Sequence, residues 1–417
     1  MANKNEKGQV LMTFVLAMSV LMGFAGLAID MGVLRYEKRL QETAADAAAI
    51  AAASNLAFGG ITSAAQNASS ANGFSDNGGG QVSNCTTSGA AVNTVCVQVN
   101  NPPASGAHAG NAAYVEVLVA SVQPTYFMSI LGVNKATVTA RAVGANVGTG
   151  PGSGCLYALD PDSAGIEGVN INGNATLNAS QCGIVDNGDF NTSGNALTVN
   201  AGTFSVSGTW PELGSGNVTC TYSSVCPALG TPAGGDPLAY LTPPPVGTPV
   251  SFNPSNIQPG TYNGISLSGN GTYTFPAGTY VLDGGSFTCS GTPTIRGTNV
   301  MFYFTNGATF DCTGNVNAQL SAANSGPYTG ILFYQDPKDT NGPSLGGDSS
   351  SFYQGALYFP TSMITWFGNG SLNTGANYTL VVAAAVALSG HPTVTINSNY
   401  SSLPGGVNII KNATLVE

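Results

Sequence analysis

Carboxylates are the residues in this chain whose spacing could most readily do chemistry. Asp186 and Asp189 bracket the turn "DNGD", and Asp336 and Asp339 bracket "DPKD", with Asp348 a short distance beyond. Two or three carboxylates that converge in the fold could hydrolyse a glycosidic bond. Their chemistry therefore raises the possibility of a polysaccharide-cleaving enzyme.

Other residue types argue against catalysis. A lyase needs a general base, but between Cys155 and Ile410 the only basic side chains besides His391 are Arg296 and Lys338. No Ser-His-Asp order, P-loop or GxSxG motif is present. Asp and Asn beside Gly are typical of polar turns. We therefore predict a protein that is not an enzyme and has no cofactor. Calcium binding at these turns is left as an open alternative, although no EF-hand or nonapeptide repeat favours it.

Cysteines are the second reactive set. None belongs to a CxxC pair and His108 and His391 are the only histidines, so a zinc site is not predicted. An even number of cysteines after an apolar N-terminal stretch predicts disulfides in an oxidising compartment, although buried reduced thiols are an alternative. The eight candidates are Cys85, Cys96, Cys155, Cys182, Cys220, Cys226, Cys289 and Cys312.

Composition narrows the class of protein. Of the 417 residues 56 are Gly, only 7% are charged, and the formal net charge is −10. From Leu40 onward there are five basic and seventeen acidic residues, so the chain has no electrostatic footprint for nucleic acid. Few charges with many Gly, Asn, Ser and Thr residues are typical of a β-rich extracellular protein.

The elements that would position these residues begin with an apolar helix. Val10 to Ile29 is an uncharged run of twenty residues, about 30 Å long as a helix. It exceeds the apolar core of a signal peptide, and strong helix formers continue it through Arg35 to Phe58. We predict a retained membrane anchor, with a cleaved signal as the alternative. The anchor residues proposed are Val10, Phe14, Leu21, Phe24 and Ile29.

Lys7 to Ala53 also resembles a known family. The run "KGQVLMTFVLAMSVLMGFAGLAIDMGVLRYEKRLQETAADAAAIAAA" is similar to the N-terminal segment of TadG-like proteins of the bacterial Tad (tight adherence, Flp pilus) assembly systems. The Gly-Gln after a basic residue, "GFAGLAID" and the "TAADAAA" run carry the resemblance. It implies a pseudopilin-like accessory protein, anchored in the cell envelope, whose partners are the membrane and other Tad pilus components.

Processing by a prepilin peptidase is left open. In related pilin-like members the enzyme cuts after a Gly, and the fifth residue beyond the cut is Glu. Counting from Gly8, the fifth residue here is Thr13. This departure favours an uncut N-terminus.

The middle of the chain predicts a small sheet. Val95, Val97 and Val99 alternate with Cys96, Gln98 and Asn100, the pattern of a half-buried strand. Val115, Val117 and Val119 form a second alternating strand, and Val138 to Val143 is a third. Thr125 to Gly132 is a short helix candidate, and Cys85 and Cys96 could clip the first hairpin. His108 and Glu116 are interpreted as surface groups. The resemblance implies that a long helix followed by this sheet is a pilin-like α/β unit.

The C-terminal part predicts a β-solenoid. Short strands separated by Gly and Asn turns, with no predicted helix, fit a parallel β-helix, and a β-sandwich is the alternative. Cys155 and Cys182 are 27 residues apart and Cys289 and Cys312 are 23 apart, near one coil, so each pair could join adjacent rungs. Ten prolines in Gly208 to Gly260 predict an excursion on the outside. Aromatic residues near Phe333 and Trp366 could bind carbohydrate but are interpreted as core.

The predicted fold class is α+β, mainly β, in four segments. These are the membrane anchor and extended helix (1–58), the pilin-like α/β unit (59–145), a linker (146–154) and the β-helix-like domain (155–417) with its Pro-rich excursion (208–260). The predicted location is the bacterial cell envelope, with a single membrane pass and an extracytoplasmic C-terminal domain. The predicted role is pilus assembly, anchoring or adhesion to a surface or glycan. The alternatives are a free-standing surface adhesin with the same anchor, or a polysaccharide-binding or polysaccharide-cleaving β-helix.

Overall fold

A computed structural model shows two compact units. It describes residues 6–56, 60–77, 89–146, 153–160, 167–194, 196–211, 216–312, 314–406, 408–411 and 413–417. The first unit comprises Met1–Asn146 together with Ala413–Glu417, and the second comprises Val147–Asn412. The large second unit is therefore inserted into the first, between Asn146 and Ala413.

Two helices open the first unit. Helix α1 spans Glu6–Ser54, and α2 spans Ile61–Ala71. The second half of α1 is rich in Ala, the residue with the best helix propensity, and Ala44, Ala48 and Ala52 on one face are fully buried. These positions recur every four residues, so the small side chains form one stripe that lets the helix approach its neighbour closely.

That neighbour is a small antiparallel sheet. It consists of β1 (Val95–Asn100), β2 (Tyr114–Pro124), β3 (Lys135–Asn146) and a C-terminal strand (Ala413–Leu415), in that order. A Cβ atom at Gly144 would lie 2.4 Å from the carbonyl oxygen of Ala49, so only glycine permits this contact between β3 and α1. The helix and the sheet together form the core of the first unit.

A charged network ties the C-terminus to this sheet. Arg141 contacts the Glu116 carboxylate at 2.5 Å and the Glu417 carboxylate at 2.6 Å. The hydrogen bond from Arg141 holds the pKa of Glu417 below its usual value. The interpretation of Glu116 as a surface group is wrong, because only 1% of this residue is exposed. Burial raises its pKa, but hydrogen bonds from Asn100, Arg141 and the Ala104 amide outweigh that effect and leave the pKa lowered.

The second unit is built almost entirely from short parallel strands. They are β4 (Gly154–Ala158), β5 (Glu167–Asn172), β6 (Thr176–Asp186), β7 (Asp189–Ser193), β8 (Leu197–Val206), β9 (Gly216–Cys220), β10 (Ala228–Leu229), β11 (Gly260–Tyr262), β12 (Ile265–Gly269), β13 (Thr272–Phe275), β14 (Gly278–Asp283), β15 (Phe287–Gly291), β16 (Thr294–Thr298), β17 (Val300–Thr305), β18 (Phe310–Cys312), β19 (Asn317–Ser321), β20 (Ile331–Gln335), β21 (Ser344–Leu345), β22 (Phe352–Gly368), β23 (Ser371–Leu372), β24 (Thr379–Gly390) and β25 (Thr393–Thr395). The C-terminal strand is β26, and short 3-10 helices span Met128–Leu131 and Pro404–Gly406.

The strands stack as a β-solenoid of about ten turns. Along one face, ten described strands pair in parallel in the order β11, β14, β17, β20, β22, β24, β4, β6, β8 and β10. The predicted parallel β-helix-like solenoid is confirmed, and the sandwich alternative is wrong. At about 4.8 Å between strands, ten strands make a stack roughly 43 Å long.

The order of the stack does not follow the order of the chain. The first strand of the solenoid, β4, pairs with β24, which lies near its end in sequence, with Val381 opposite Leu156. The solenoid therefore starts and finishes in the middle of the stack. Its two outer ends are β11 and β10, which are separated in sequence by residues 230–259.

The interior of the solenoid is apolar and aromatic. Aromatic rings pack from rung to rung, as Phe302 packs edge-to-face against Phe333 with centroids 5.8 Å apart. Two disulfides join adjacent rungs, Cys155–Cys182 and Cys289–Cys312, and a third joins Cys220 to Cys226. Closing a loop of about 27 residues stabilises a fold by about 3.5 kcal/mol in the chain-entropy account. Cys96 is also disulfide-bonded, and Cys85 lies outside the described residues.

Residues 230–259 form a strap along the outside of the stack. The Asn187 side-chain amide donates to the Gly234 carbonyl at 2.8 Å, and the Gly247 amide donates to Thr261 Oγ1 at 3.0 Å, so the strap runs from β6 to β11. Between these points the Tyr334 hydroxyl donates to the Leu241 carbonyl at 3.3 Å. The predicted excursion, 208–260, differs from this segment, because β9 and β10 lie inside it and both pair with β8.

Replacing Tyr358 with phenylalanine should loosen the strap. The Tyr358 hydroxyl donates to Asp236 Oδ2 at 2.7 Å, and Tyr358 is buried. A hydrogen bond to a charged group contributes about 1.5–3 kcal/mol, so Tyr358→Phe should raise local opening of the strap roughly tenfold or more. The measurement is the rate of chymotryptic cleavage after Tyr240 or Leu241 in the detergent-solubilised protein.

Tyr273→Phe is the matched control for this change. Among the described residues its hydroxyl bonds only to the nearby Ser268 carbonyl, at 2.9 Å, which is not part of the strap. Equal cleavage rates in wild type and Tyr358→Phe would show that this hydrogen bond does not restrain the segment.

Candidate functional site

The first part of α1 is exposed and apolar. Phe14, Leu21, Phe24 and Ile29, which the sequence proposes as anchor residues, are each more than half exposed, and the Val10 side chain lies outside the described set. An 18-residue window of this helix has a mean hydropathy of 2.2, and 6% of the window is buried. By length and composition the helix could cross a membrane. Exposure of this much apolar surface is what a lipid-facing helix requires.

A loop from the small sheet packs on this helix. Residues Thr125–Asn134 join β2 to β3 at the tip of their hairpin, and we call them the apolar loop. Within it Thr125 to Gly132, predicted as a short helix, contains the 3-10 helix Met128–Leu131. The loop has no charged residue, and Ile130 and Leu131 at its tip are 81% and 80% exposed.

Asp30 fixes the loop to the helix. Its carboxylate accepts backbone N–H groups from Tyr126 at 3.0 Å, Phe127 at 2.9 Å and Met128 at 2.6 Å. These amides lie at the start of the 3-10 helix, where backbone donors lack partners of their own and an anion is favoured. As a result Asp30 is only 2% exposed although it ends an otherwise exposed stretch.

Gly26, one helical turn before Asp30, provides the space for this contact. A Cβ atom at Gly26 would lie 2.5 Å from Phe127 Cδ1, inside van der Waals distance. At Gly23 a Cβ atom would meet no other atom within 4 Å. Gly26 and Asp30 thus present one face of α1 to the loop. Neither residue was identified from the sequence as part of a site, although their spacing of four on one helix was visible there.

Beside this contact a groove of about 340 Å³ opens between helix and loop. Its walls are almost wholly apolar, and they are formed by Ser19, Met22, Gly23, Leu27, Phe127, Met128, Ile130 and Leu131. Farther along the helix Arg35 and Lys38 lie beside the start of β3, at Ala136 to Thr139. Basic side chains therefore follow the apolar groove along the helix.

The comparisons with known proteins concern this helix. Residues 8–55 match the family model described as "Putative Flp pilus-assembly TadE/G-like". The helix is similar to the TadE/G-like segment. The match covers nearly all of α1, including Gly26 and Asp30, and the resemblance noted in the sequence is confirmed for it. Neither a curated protein nor a solved structure matches this chain.

The carboxylates considered for catalysis stabilise turns of the solenoid. Asp186 is fully buried, and its two oxygens accept the Val169 and Gly188 amides, each at 3.0 Å. Asp189 Oδ1 accepts the amide and the hydroxyl of Thr209. Farther along the chain, Asp336 and Asp348 also accept amides within their own turns. Among the residues that the structure describes, no group of three His, Cys, Asp or Glu side chains could hold a metal ion.

The aromatic residues considered for carbohydrate binding lie mostly in the interior. Phe333, Tyr353 and Trp366 are buried in the solenoid core, and Phe352 and Phe367 are half-buried at its surface. Binding of a glycan therefore gains no support from this cluster.

Gly26→Ala should release the apolar loop from α1, and Gly23→Ala should not. Both changes add one methyl group to the same exposed helix, but only the methyl at position 26 overlaps Phe127. We expect faster chymotryptic cleavage after Tyr126 or Phe127 in detergent-solubilised Gly26→Ala than in wild type or Gly23→Ala. If all three proteins were cut at one rate, the contact between Phe127 and Gly26 would not hold the loop.

Asp186 should make the solenoid less stable as the pH rises from 4 to 7. Burial raises the pKa of its carboxyl from 3.8 to about 6, and the charge of Asp189 adds to the effect against the two amide hydrogen bonds. Because the folded pKa exceeds the unfolded one, stability is full below about pH 4 and falls as the pH rises through 6. The shift corresponds to about 3 kcal/mol.

Tryptophan emission can follow this transition. Trp210 and Trp366 are the only tryptophans, and both lie in the solenoid, so emission during urea unfolding of the solubilised protein reports on that unit alone. Asp186→Asn should flatten the pH dependence between 4 and 7, and exposed Asp311→Asn should retain it. An unchanged slope in Asp186→Asn would assign the dependence to other groups.

Proposed function

We propose that this chain is a single-pass envelope protein of a Tad/Flp pilus system, which holds its solenoid outside the cytoplasm. The match of residues 8–55 to the TadE/G-like family carries the proposal. The exposed apolar half of α1 fits a membrane span, and three solenoid disulfides fit folding in an oxidising compartment. These observations support a span in the membrane and a solenoid outside the cytoplasm.

The role proposed is assembly, anchoring or adhesion without catalysis. The supporting observation is that Asp186 accepts backbone amides from its own turn and from a neighbouring strand, and that Asp336 accepts one from its own turn. A solenoid also offers a long repetitive surface on a rigid core, which suits binding to a partner protein or a surface. In this role the small sheet of the first unit connects the membrane span to the solenoid, and the solenoid binds the partner protein or surface.

Cross-linking in a bacterium that makes the chain tests the pilus role. After cross-linking, affinity purification of the wild type should enrich pilus-assembly proteins identified by mass spectrometry. The matched control replaces residues 8–25 with an unrelated apolar span of the same length and keeps Gly26 and Asp30, so that the contacts of these two residues with the loop remain. We expect the control to lose most of the enrichment.

Two other results would change the proposal. Recovery of the wild type without any pilus protein would favour a free-standing surface protein with a borrowed anchor. Equal enrichment by the control would assign the contact with pilus proteins to the extracytoplasmic part and not to the span. The intact mass of the purified chain would also show whether it begins at Gln9, as cleavage after Gly8 requires, or upstream of Gly8.

A further inference from the structure

The apolar loop exposes large apolar side chains beside the anchor helix. We propose that Thr125–Asn134 inserts into the hydrocarbon of the bilayer beside α1, as a second membrane-contacting element. The inference rests on the proposed membrane span of α1. It commits to lipid acyl chains as the occupant of the exposed loop surface and of the groove between loop and helix.

Position along the helix is the first argument. The groove shared with Ile130 and Leu131 reaches Ser19, which lies ten residues before Ile29. At 1.5 Å per residue this is about 15 Å along the helix axis, or half the thickness of the hydrocarbon. If Val10 to Ile29 spans the bilayer, the loop tip lies below its surface, not above it.

Surface chemistry is the second argument. Ile130 and Leu131 are about four-fifths exposed, and Tyr126 is 61% exposed, an arrangement that is unfavourable in water. The stretch from Ser121 to Asn134 has no charge, and Lys135 follows it at once. Lys135 lies at the start of β3, the strand whose next residues line a pocket with Arg35 and Lys38 of α1. Basic side chains at the end of an apolar surface suit the anionic headgroup level.

Backbone hydrogen bonding is the third argument. Irregular backbone is tolerated at hydrocarbon depth only where protein covers it or where it lines a cavity, because each polar group without a partner is costly there. Asp30 accepts three successive amides of the loop. Three more amides bond to loop carbonyls: Ile130 to Phe127 at 3.2 Å, Gly132 to Ser129 at 3.0 Å and Val133 to Met128 at 3.1 Å. The loop thus carries its own partners for these groups and does not need water for them.

Quenching by brominated lipids tests the insertion. The full-length protein is reconstituted into phosphatidylcholine vesicles with bromine on the acyl chains, and a tryptophan is placed at Ile130, Leu16 or Val416. Wild-type emission from Trp210 and Trp366 is subtracted as the baseline. Leu16, in the apolar half of α1, controls for the span, and Val416, beside Val143 at the far end of β3, controls for surface outside the bilayer.

We expect Ile130→Trp and Leu16→Trp to lose most of their added emission to brominated lipid, and Val416→Trp to keep it. If Leu16→Trp were quenched but Ile130→Trp responded only to aqueous acrylamide, the loop would lie in water and the inference would be wrong, with the span intact. Protection of Ile130→Trp from both quenchers would show that protein covers the loop, and would also overturn it. If Leu16→Trp escaped lipid quenching, the proposed span would fail, and the inference with it.

Discussion

The pairing of Ala413–Leu415 with Gly144–Asn146 constrains the rest of the molecule. Because these strands are antiparallel neighbours, the chain leaves the small sheet at Asn146 and returns at Ala413, directly opposite. Everything between them must therefore begin and end at nearly one place. A solenoid wound in chain order could do so only with a return segment along its whole length, because the ends of a ten-rung stack lie roughly 43 Å apart.

The permuted stack satisfies this constraint. By starting at β4 and finishing next to it at β24 and β25, the solenoid brings its own entry and exit to neighbouring rungs. The cost is a break elsewhere, between β10 at one end of the stack and β11 at the other. The strap bridges that break, and 30 residues at about 3 Å each are ample for the distance. Prolines suit the strap because it runs outside the ladder and does not need every backbone N–H.

Local features of this architecture could be predicted from the sequence, and neighbour relations could not. Alternating Val residues and Gly and Asn turns mark individual strands, because the period of two and the left-handed corners are properties of a few adjacent residues. Which rung stacks on which depends on shape and register across 200 residues, and every rung offers its neighbours similar apolar side chains. Nothing in "ATLVE" distinguishes a strand of the small sheet from a last strand of the solenoid. Glu116 was missed for the same reason, since its partners Asn100 and Arg141 lie 16 and 25 residues away in sequence.

The helix shows how a family motif and a local contact can be the same feature. In "GFAGLAID" the apolar letters explain membrane affinity, but they explain neither a glycine at position 26 nor an acid at position 30. Many apolar sequences would span a bilayer equally well, and an acidic group at its edge is unfavourable there unless it is paired. The apolar loop accounts for both residues at once. Its Phe127 ring requires the absence of a side chain at Gly26, and its three amides stabilise the Asp30 carboxylate by hydrogen bonds. Because the loop is also the tip of the β2–β3 hairpin, the contact sets the position of the small sheet along the helix, and a span shifted by one residue would lose both partners together.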